Sequence, residues 1–158
     1  MRPTVQELWR PIVNRAEAAY PALGGLRLVY CLEADREHEE SERQYAHVTP
    51  EHGFNTVCVA HAFDDLRTPY QLGILVHEIG HLLGNLYFTS DHSEDDANTF
   101  GQLATGIHVV WRGPHRLEYS EVPAWLKKDI VSFRRSSPGS SKASAKRSRR
   151  TRRKQRTT

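Results

Sequence analysis

The amino-acid sequence predicts an α+β domain in which a short mixed or antiparallel sheet packs against helices. Apolar residues recur at helical spacing in two long segments, and short runs rich in β-forming residues lie between and after them. The composition then changes abruptly after Phe133. A chain of 158 residues suits one domain and can bury a real core. We therefore expect one folded domain over residues 1–133 and a disordered tail over residues 134–158.

The first half of this domain predicts one helix and three short strands. Residues 4–20 carry apolar side chains at helical spacing, and Thr4 and Glu7 form a capping box at the start. The charged stretch at residues 33–44 is expected to be a solvated loop or frayed turn. The predicted strands cover residues 26–33, 45–50 and 55–63.

The charge of the chain is divided between the two predicted parts. The formal net charge is +3, but residues 134–158 contain 11 Lys and Arg and no acidic residue. The remaining 11 basic and 19 acidic residues give residues 1–133 a net charge of about −8. A basic tail without aromatic residues binds nucleic-acid phosphates weakly and without sequence preference. We predict such binding through residues 134–158, with a solubilising tail or a clamp over the acidic domain as the alternatives.

The charged N-terminus, the lack of a long apolar segment and the two isolated cysteines favour a cytoplasmic location. The N-terminus is charged from Arg2 and has no apolar run, so no signal peptide is predicted. No segment approaches the roughly 18 apolar residues of a membrane span, so no membrane partner is expected. Cys31 and Cys58 are expected to be buried free thiols, because neither belongs to a CxxC motif.

Residues 68–85 predict a capped helix that is apolar on almost every side. Thr68 and Gln71 are expected to form a capping box, and Gly84 is a natural stop. The helix nevertheless carries His77 and His81, with a glutamate directly after the first histidine. Burying such side chains without partners would cost several kcal/mol by order of magnitude.

A metal site would satisfy these polar side chains together. His77 and His81 are one helical turn apart, so both imidazoles can reach one tetrahedral Zn²⁺. Glu78 would then contact a metal-bound water and act as the general base. The sequence therefore predicts a zinc site built on this helix.

The third ligand must come from another segment, since zinc hydrolases use three protein ligands and one open position. Tyr87 stands where metzincins place their third histidine, so that pattern fails. A helix that begins near Glu94 would place Glu94 and Asn98 on one face, with Ala97 and Gly101 small enough for close approach. Glu94 is the expected ligand and Asn98 the partner that orients a ligating histidine. The alternatives are His92, Asp95 and Asp96.

The combination of "HEIGHLLG" with "EDDANTFG" resembles the ImmA/IrrE-type metallopeptidases, which are gluzincin-like. The resemblance covers residues 68–103. It implies a zincin-like domain with Zn²⁺ bound by His77, His81 and Glu94. It also implies Glu78 as the general base, Asn98 as a supporting residue, and a protein or peptide substrate, such as a regulator. The chain departs from the family in having 12 residues between His81 and Glu94, and "LATGIHVVW" where the family has an "LLMP"-like segment.

The end of the domain predicts a hairpin over residues 108–122 and a helix over residues 123–133. The sequence does not choose an oxyanion-stabilising residue among His108, His115, Tyr87 and Tyr119. We expect a zinc metalloendopeptidase. Two other functions remain as alternatives, a noncatalytic zinc-stabilised module and a DNA-associated regulatory or mobile-element protein that acts through its basic tail.

Overall fold

The computed structural model describes residues 1–88 and 91–137. Within these ranges the chain is α+β, as predicted, with five α-helices, a three-stranded sheet and a separate hairpin. The helices are α1 (Val5–Ala19), α2 (Leu32–Glu40), α3 (Thr68–Leu83), α4 (Glu94–Thr105) and α5 (Ala124–Ser136). The strands are β1 (Arg27–Tyr30), β2 (Ala46–His47), β3 (Thr56–Val59), β4 (Val110–Arg112) and β5 (Leu117–Tyr119).

The three-stranded sheet is mixed and has β3 at its centre. β1 runs parallel to β3 and pairs Val29 with Cys58, whereas β2 runs antiparallel and pairs His47 with Cys58. Because side chains alternate along a strand, β3 contributes to two cores. Val57 and Val59 join the main core with α1 and α3, and Cys58 faces the opposite side, toward α2.

The expectation of a loop at residues 33–44 is wrong, since α2 occupies most of that stretch. Its sequence has almost no apolar face, which is why helical spacing gave no signal. Only Ala34 of this helix is buried. The helix is held by polar contacts instead, such as Asp35 with the backbone and ring of His61.

The expectation of free thiols is also wrong, because Cys31 and Cys58 form a disulfide. The pairing of β1 with β3 brings the two Cα atoms to 6.0 Å, a separation that suits a disulfide. Cys31 directly precedes α2, so the bond fixes the start of that helix to the central strand.

The predicted ends of α3 need two corrections. Arg67, not Thr68, is the N-cap, and no side chain caps this end. Gln71 turns inward instead and donates from Nε2 to the carbonyl of Phe63 at 3.0 Å. Gly84 has ordinary right-handed helical angles and continues into a π-helical turn, so it does not end the helix by a left-handed conformation. The ring of His92 packs over Gly84 and leaves no room for a larger side chain there.

The helix α4 begins where the sequence predicts and lies directly against α3. Ser93 and Asp96 form its capping box. A Cβ on Gly80 would meet the carbonyl of Ala97, and one on Gly101 would meet the carbonyl of Val76. The two helices therefore touch backbone to backbone, which brings side chains of α4 over those of α3.

The predicted C-terminal hairpin and helix are both present, but the helix is longer than expected. Gly73 allows the backbone of Glu118 to lie against α3, and Ser120 donates its N–H to the carbonyl of Pro69 at 3.0 Å. The helix α5 continues to Ser136, so the domain boundary expected after Phe133 falls inside it. Arg134 donates from Nε to Glu7 at 2.7 Å. The remainder of the predicted tail, residues 138–158, lies outside the described residues.

None of the helices in the described ranges is long and apolar enough to cross a membrane.

Candidate metal centre

The helix α3 presents both histidines of the motif from the interior of the domain. His77 is 1% exposed and Glu78 is 6% exposed, although both belong to residue types that carry charge. The side chain of His81 is 21% exposed and lies one turn nearer the surface. The helix is buried on most sides, as its composition predicts. These polar groups are therefore held in an environment that requires partners for them.

The helix α4 supplies a carboxylate to both histidines. Oε2 of Glu94 lies 2.8 Å from Nε2 of His77 and 3.3 Å from Nε2 of His81, and the two Nε2 atoms are 3.1 Å apart. Ligands of a tetrahedral zinc ion with bonds of 2.0–2.2 Å are separated by roughly 3.3 Å. The three atoms are thus spaced like three corners of such a tetrahedron. This arrangement could hold a metal ion.

Asn98 lies on the far side of the His77 ring. Its Oδ1 is 2.6 Å from Nδ1 of His77. When Nδ1 donates its proton to this oxygen, Nε2 is left with the lone pair that a metal ion requires. Asn98 is one turn after Glu94 on α4, so the same helix face supplies the carboxylate and the amide.

The other three candidates for the third ligand have different roles. Nε2 of His92 lies 2.9 Å from Nδ1 of His81, on the side of the ring that faces away from Glu94. Asp95 accepts a hydrogen bond from Nε1 of Trp111 at 3.0 Å, and the Asp96 carboxylate accepts from the N–H of Ser93, the N-cap of α4. Among the four candidates, Glu94 is the one whose carboxylate contacts Nε2 of both motif histidines.

Sequence reasoning missed Glu118, which the hairpin inserts beside the motif. Its Oε1 lies 3.5 Å from Nε2 of His77, and its side chain is 13% exposed. Trp111 on the same hairpin packs edge-on against His77, with ring centroids 5.6 Å apart. No local pattern predicts either contact, because both depend on where the backbone of β5 lies against Gly73.

The carboxyl groups around His77 perturb one another strongly. A hydrogen bond from His77 lowers the pKa of Glu94 to about 2. The pKa of His77 rises to about 9 despite its burial, since the Glu94 hydrogen bond and the charges of Glu78 and Glu118 favour its cation. Burial raises the pKa of Glu78 to about 8, and the charges of Glu118 and Glu94 add to that increase. A centre with this many carboxyl groups near two imidazoles favours a bound cation.

The centre forms the floor of an open cleft with a volume of about 1040 Å³. His77, Glu78, His81 and Glu94 line the floor. The segment at residues 43–50, which contains the edge strand β2, forms part of the wall. The side chain of Glu94 is 66% exposed, so the triangle of ligand atoms is reached from solvent through the cleft.

Of the residues considered for oxyanion stabilisation, His115 lines the cleft. Tyr119 donates to Glu121, His108 contacts Gln102, and Tyr87 packs against Tyr20. His115 is on the turn of the β4–β5 hairpin.

Comparison of the chain with protein-family models, with curated proteins and with solved structures gives no match. The similarity to ImmA/IrrE-type metallopeptidases therefore rests on the two motifs alone.

Proposed function

We propose that this protein is a zinc-dependent metalloendopeptidase with a zincin-like domain. The observation that carries the proposal is the triangle of His77 Nε2, His81 Nε2 and Glu94 Oε2 on the floor of an open cleft, with Glu78 buried beside it. Two imidazoles and a carboxylate are a donor set that suits zinc, and three ligands leave a fourth position free.

A zinc ion held there would supply Lewis acidity toward a carbonyl oxygen and would lower the pKa of a coordinated water. Residues of the chain would then carry out the proton transfers. Glu78 follows His77 directly and lines the same cleft, so it would take a proton from the attacking water as the general base and deliver it to the leaving amine. Asn98 fixes the ring orientation of His77. His115 lines the cleft and is our candidate for the group that would donate to a developing oxyanion.

We propose that an extended peptide lies along the wall of the cleft. In the three-stranded sheet β3 is central and β2 is at an edge. The carbonyl of Tyr45 accepts from Ala60, whereas the carbonyl of Ala46 accepts from the side chain of Gln44 at 2.7 Å. A substrate strand could replace that side chain and pair with the free edge of β2. The expected substrate is therefore an unfolded segment of a protein, such as a regulator.

The two alternative functions receive less support from the described residues. A purely structural zinc site is closed, whereas this centre opens into a large cleft. The proposal that the basic tail is the main functional part concerns residues that lie mostly outside the described ranges. Arg134, the first basic residue of that tail, is bonded to Glu7 rather than presented for nucleic acid.

Substitution of Glu78 by Gln tests the mechanism. The amide keeps the shape of the side chain and cannot take up a proton, so we expect hydrolysis of an unfolded protein substrate to fall by about 10²- to 10⁴-fold. The zinc content should stay unchanged, because Glu78 is not one of the proposed ligands. Glu121→Gln is the control and should cleave normally. A Glu78→Gln protein that cleaves at the wild-type rate would refute the mechanism.

Deletion of residues 138–158 tests the alternative based on the tail. We expect the shortened protein to retain its zinc and its hydrolytic rate, and to lose only weak, salt-sensitive affinity for nucleic acid. A shortened protein that loses function while Glu78→Gln keeps it would support the tail as the functional part.

A further inference from the structure

A second cluster of metal-ligating side chains lies on the other face of the sheet. It contains Cys31, His47, His52 and Cys58, each of which offers one ligand atom, and these atoms all lie within 4.8 Å of one another. Cys58 belongs to the small core under α2, whereas the motif helix packs with the main core. The cluster therefore shares no ligand with the candidate metal centre described above, although His47 also lines the cleft.

The apolar core under α2 is too small to explain how that helix is held. Its fully buried members are Ala34, Cys58 and Ala60, with Val29 and Cys31 partly buried beside them. Small cores of this kind usually depend on a disulfide or a metal ion for their stability. The disulfide between Cys31 and Cys58 provides one such link.

A disulfide alone does not account for the histidines around it. His47 is 8% exposed, and its Nε2 lies 3.7 Å from Sγ of Cys31. In a tetrahedral zinc site an imidazole nitrogen and a thiolate sulfur are separated by roughly 3.6 Å. Nδ1 of the same ring lies 2.7 Å from Oε2 of Glu37. This is the arrangement in which a carboxylate fixes the tautomer of a ligating histidine and leaves Nε2 for the metal.

His52 completes a set of four ligands. Its Nε2 contacts Oε2 of Glu33 at 3.3 Å, and the same oxygen is 4.0 Å from Nε2 of His47. Glu33 and Glu37 add negative charge beside the cluster, which favours a cation there. A metal ion between the two imidazoles would replace the contact of His52 with Glu33.

We propose that Cys31, His47, His52 and Cys58 form a second, redox-controlled zinc site that closes α2 onto the sheet when the two cysteines are reduced. Reduction breaks the sulfur–sulfur bond. The disulfide takes up two electrons and two protons from a low-molecular-weight thiol, two molecules of which are oxidised to their own disulfide. Zinc binding then displaces the two cysteine protons into solvent and leaves two thiolate ligands. Oxidation by a disulfide of the same class reverses these steps and releases the ion.

The two states would hold the same elements by different bonds. Either the disulfide or the zinc ion connects the residue before α2 to the centre of the sheet. The zinc ion additionally connects β2 through His47 and the turn after it through His52. Because residues 43–50 also line the cleft, zinc at this second site would stiffen the wall against which substrate is expected to lie.

Cobalt spectroscopy of the full chain tests this proposal directly. The metal-free protein is reduced with a phosphine, which is itself oxidised to the phosphine oxide, and is then titrated with Co²⁺ without oxygen. We expect a thiolate-to-cobalt charge-transfer band in the near ultraviolet that saturates at one equivalent for this site. The centre at His77, His81 and Glu94 offers only nitrogen and oxygen ligands, so it cannot produce that band. Protein with the disulfide intact should not show the band either.

Variants separate the ligands from their surroundings. Cys31→Ser should lower the band to half or less, because it leaves Cys58 as the one thiolate of the site, and His52→Ala should weaken Co²⁺ binding at this site by at least about tenfold. His52→Ala should fold even if Cys31→Ser does not, because the side chain of His52 is 27% exposed. His38→Ala is the matched control, since His38 is a histidine of α2 that contacts the carbonyl of Gln44 and is not one of the four ligands.

Zinc content provides an independent readout. Reduced protein should retain one more zinc ion per chain than oxidised protein, whatever the occupancy of the candidate metal centre. Reduced wild-type protein without a charge-transfer band, or with the same zinc content as oxidised protein, would overturn the proposal. Neither result would bear on the proposed peptidase mechanism.

Discussion

Oδ1 of Asn98 lies 2.6 Å from Nδ1 of His77, on the opposite side of the ring from the carboxylate of Glu94. One helix thus contacts both nitrogens of the same imidazole. Asn98 sets the tautomer, and Glu94 stands beside the nitrogen that the tautomer leaves free. This relationship makes the pairing of α3 with α4 the structural basis of the centre.

Asn98→Ala should weaken metal binding. Loss of the acceptor leaves Nδ1 of His77 unpaired and its tautomer unconstrained, so we expect zinc affinity to fall by about 10- to 100-fold. Asn98→Asp should retain affinity within a few-fold, because a carboxylate accepts the same hydrogen bond. Competition with a chromophoric chelator measures both variants. Gln102→Ala, one turn further along α4, is the control, and equal affinities for Asn98→Ala and the wild type would exclude the orienting role.

Glu94→Ala should remove the third ligand. We expect a larger loss of zinc affinity than the roughly 10- to 100-fold caused by removing a supporting hydrogen bond. The zinc content should be measured on protein with its disulfide intact, so that the second cluster does not contribute. Asp96→Asn is the matched control, since the amide still accepts from the start of α4. Undiminished zinc content in Glu94→Ala, or a loss of zinc in Asp96→Asn alone, would show that another residue is the third ligand.

Local sequence signals predict part of this architecture and leave out another part. Glu94 and Asn98 could be placed because Ser93 starts a helix and the spacing of four residues sets one face. Glu118 could not be placed, because its position depends on the contact of β5 with Gly73, 45 residues earlier in the chain. The helix α2 was missed for a related reason. It is stabilised by a disulfide and by histidine–carboxylate contacts, which leave no apolar periodicity to detect.

Gly80→Ala should separate the two helices of the centre. A Cβ there would overlap the carbonyl oxygen of Ala97, and a backbone atom cannot rotate away as a side chain can. We expect a loss of about 1–3 kcal/mol in the free energy of unfolding, together with weaker zinc binding as Glu94 moves outward. Thermal melts of the metal-free protein measure the first effect and chelator competition the second. Thr99→Ala, on the exposed face of α4, should change neither, and normal zinc affinity in Gly80→Ala would show that close packing is not required.

The ion pair between Glu7 and Arg134 should make stability depend on pH. The hydrogen bond from Arg134 lowers the pKa of Glu7 from 4.5 to about 2. A carboxyl group whose pKa is lowered in the folded state stabilises the protein at pH values above its pKa in the unfolded state. That contribution is lost as the pH falls from about 4.5 toward 2. Glu7→Gln should therefore lower the melting temperature by a few degrees at pH 7, and the difference should shrink on acidification. Circular dichroism melts of metal-free protein measure it. Glu40→Gln, which replaces an exposed carboxylate of α2, is the control and should change the melting temperature little at pH 7. Arg134→Gln should match Glu7→Gln, and the double variant should be little worse than either one, because both substitutions remove the same pair. A difference between Glu7→Gln and wild type that stays constant down to pH 2 would exclude the pair as its cause.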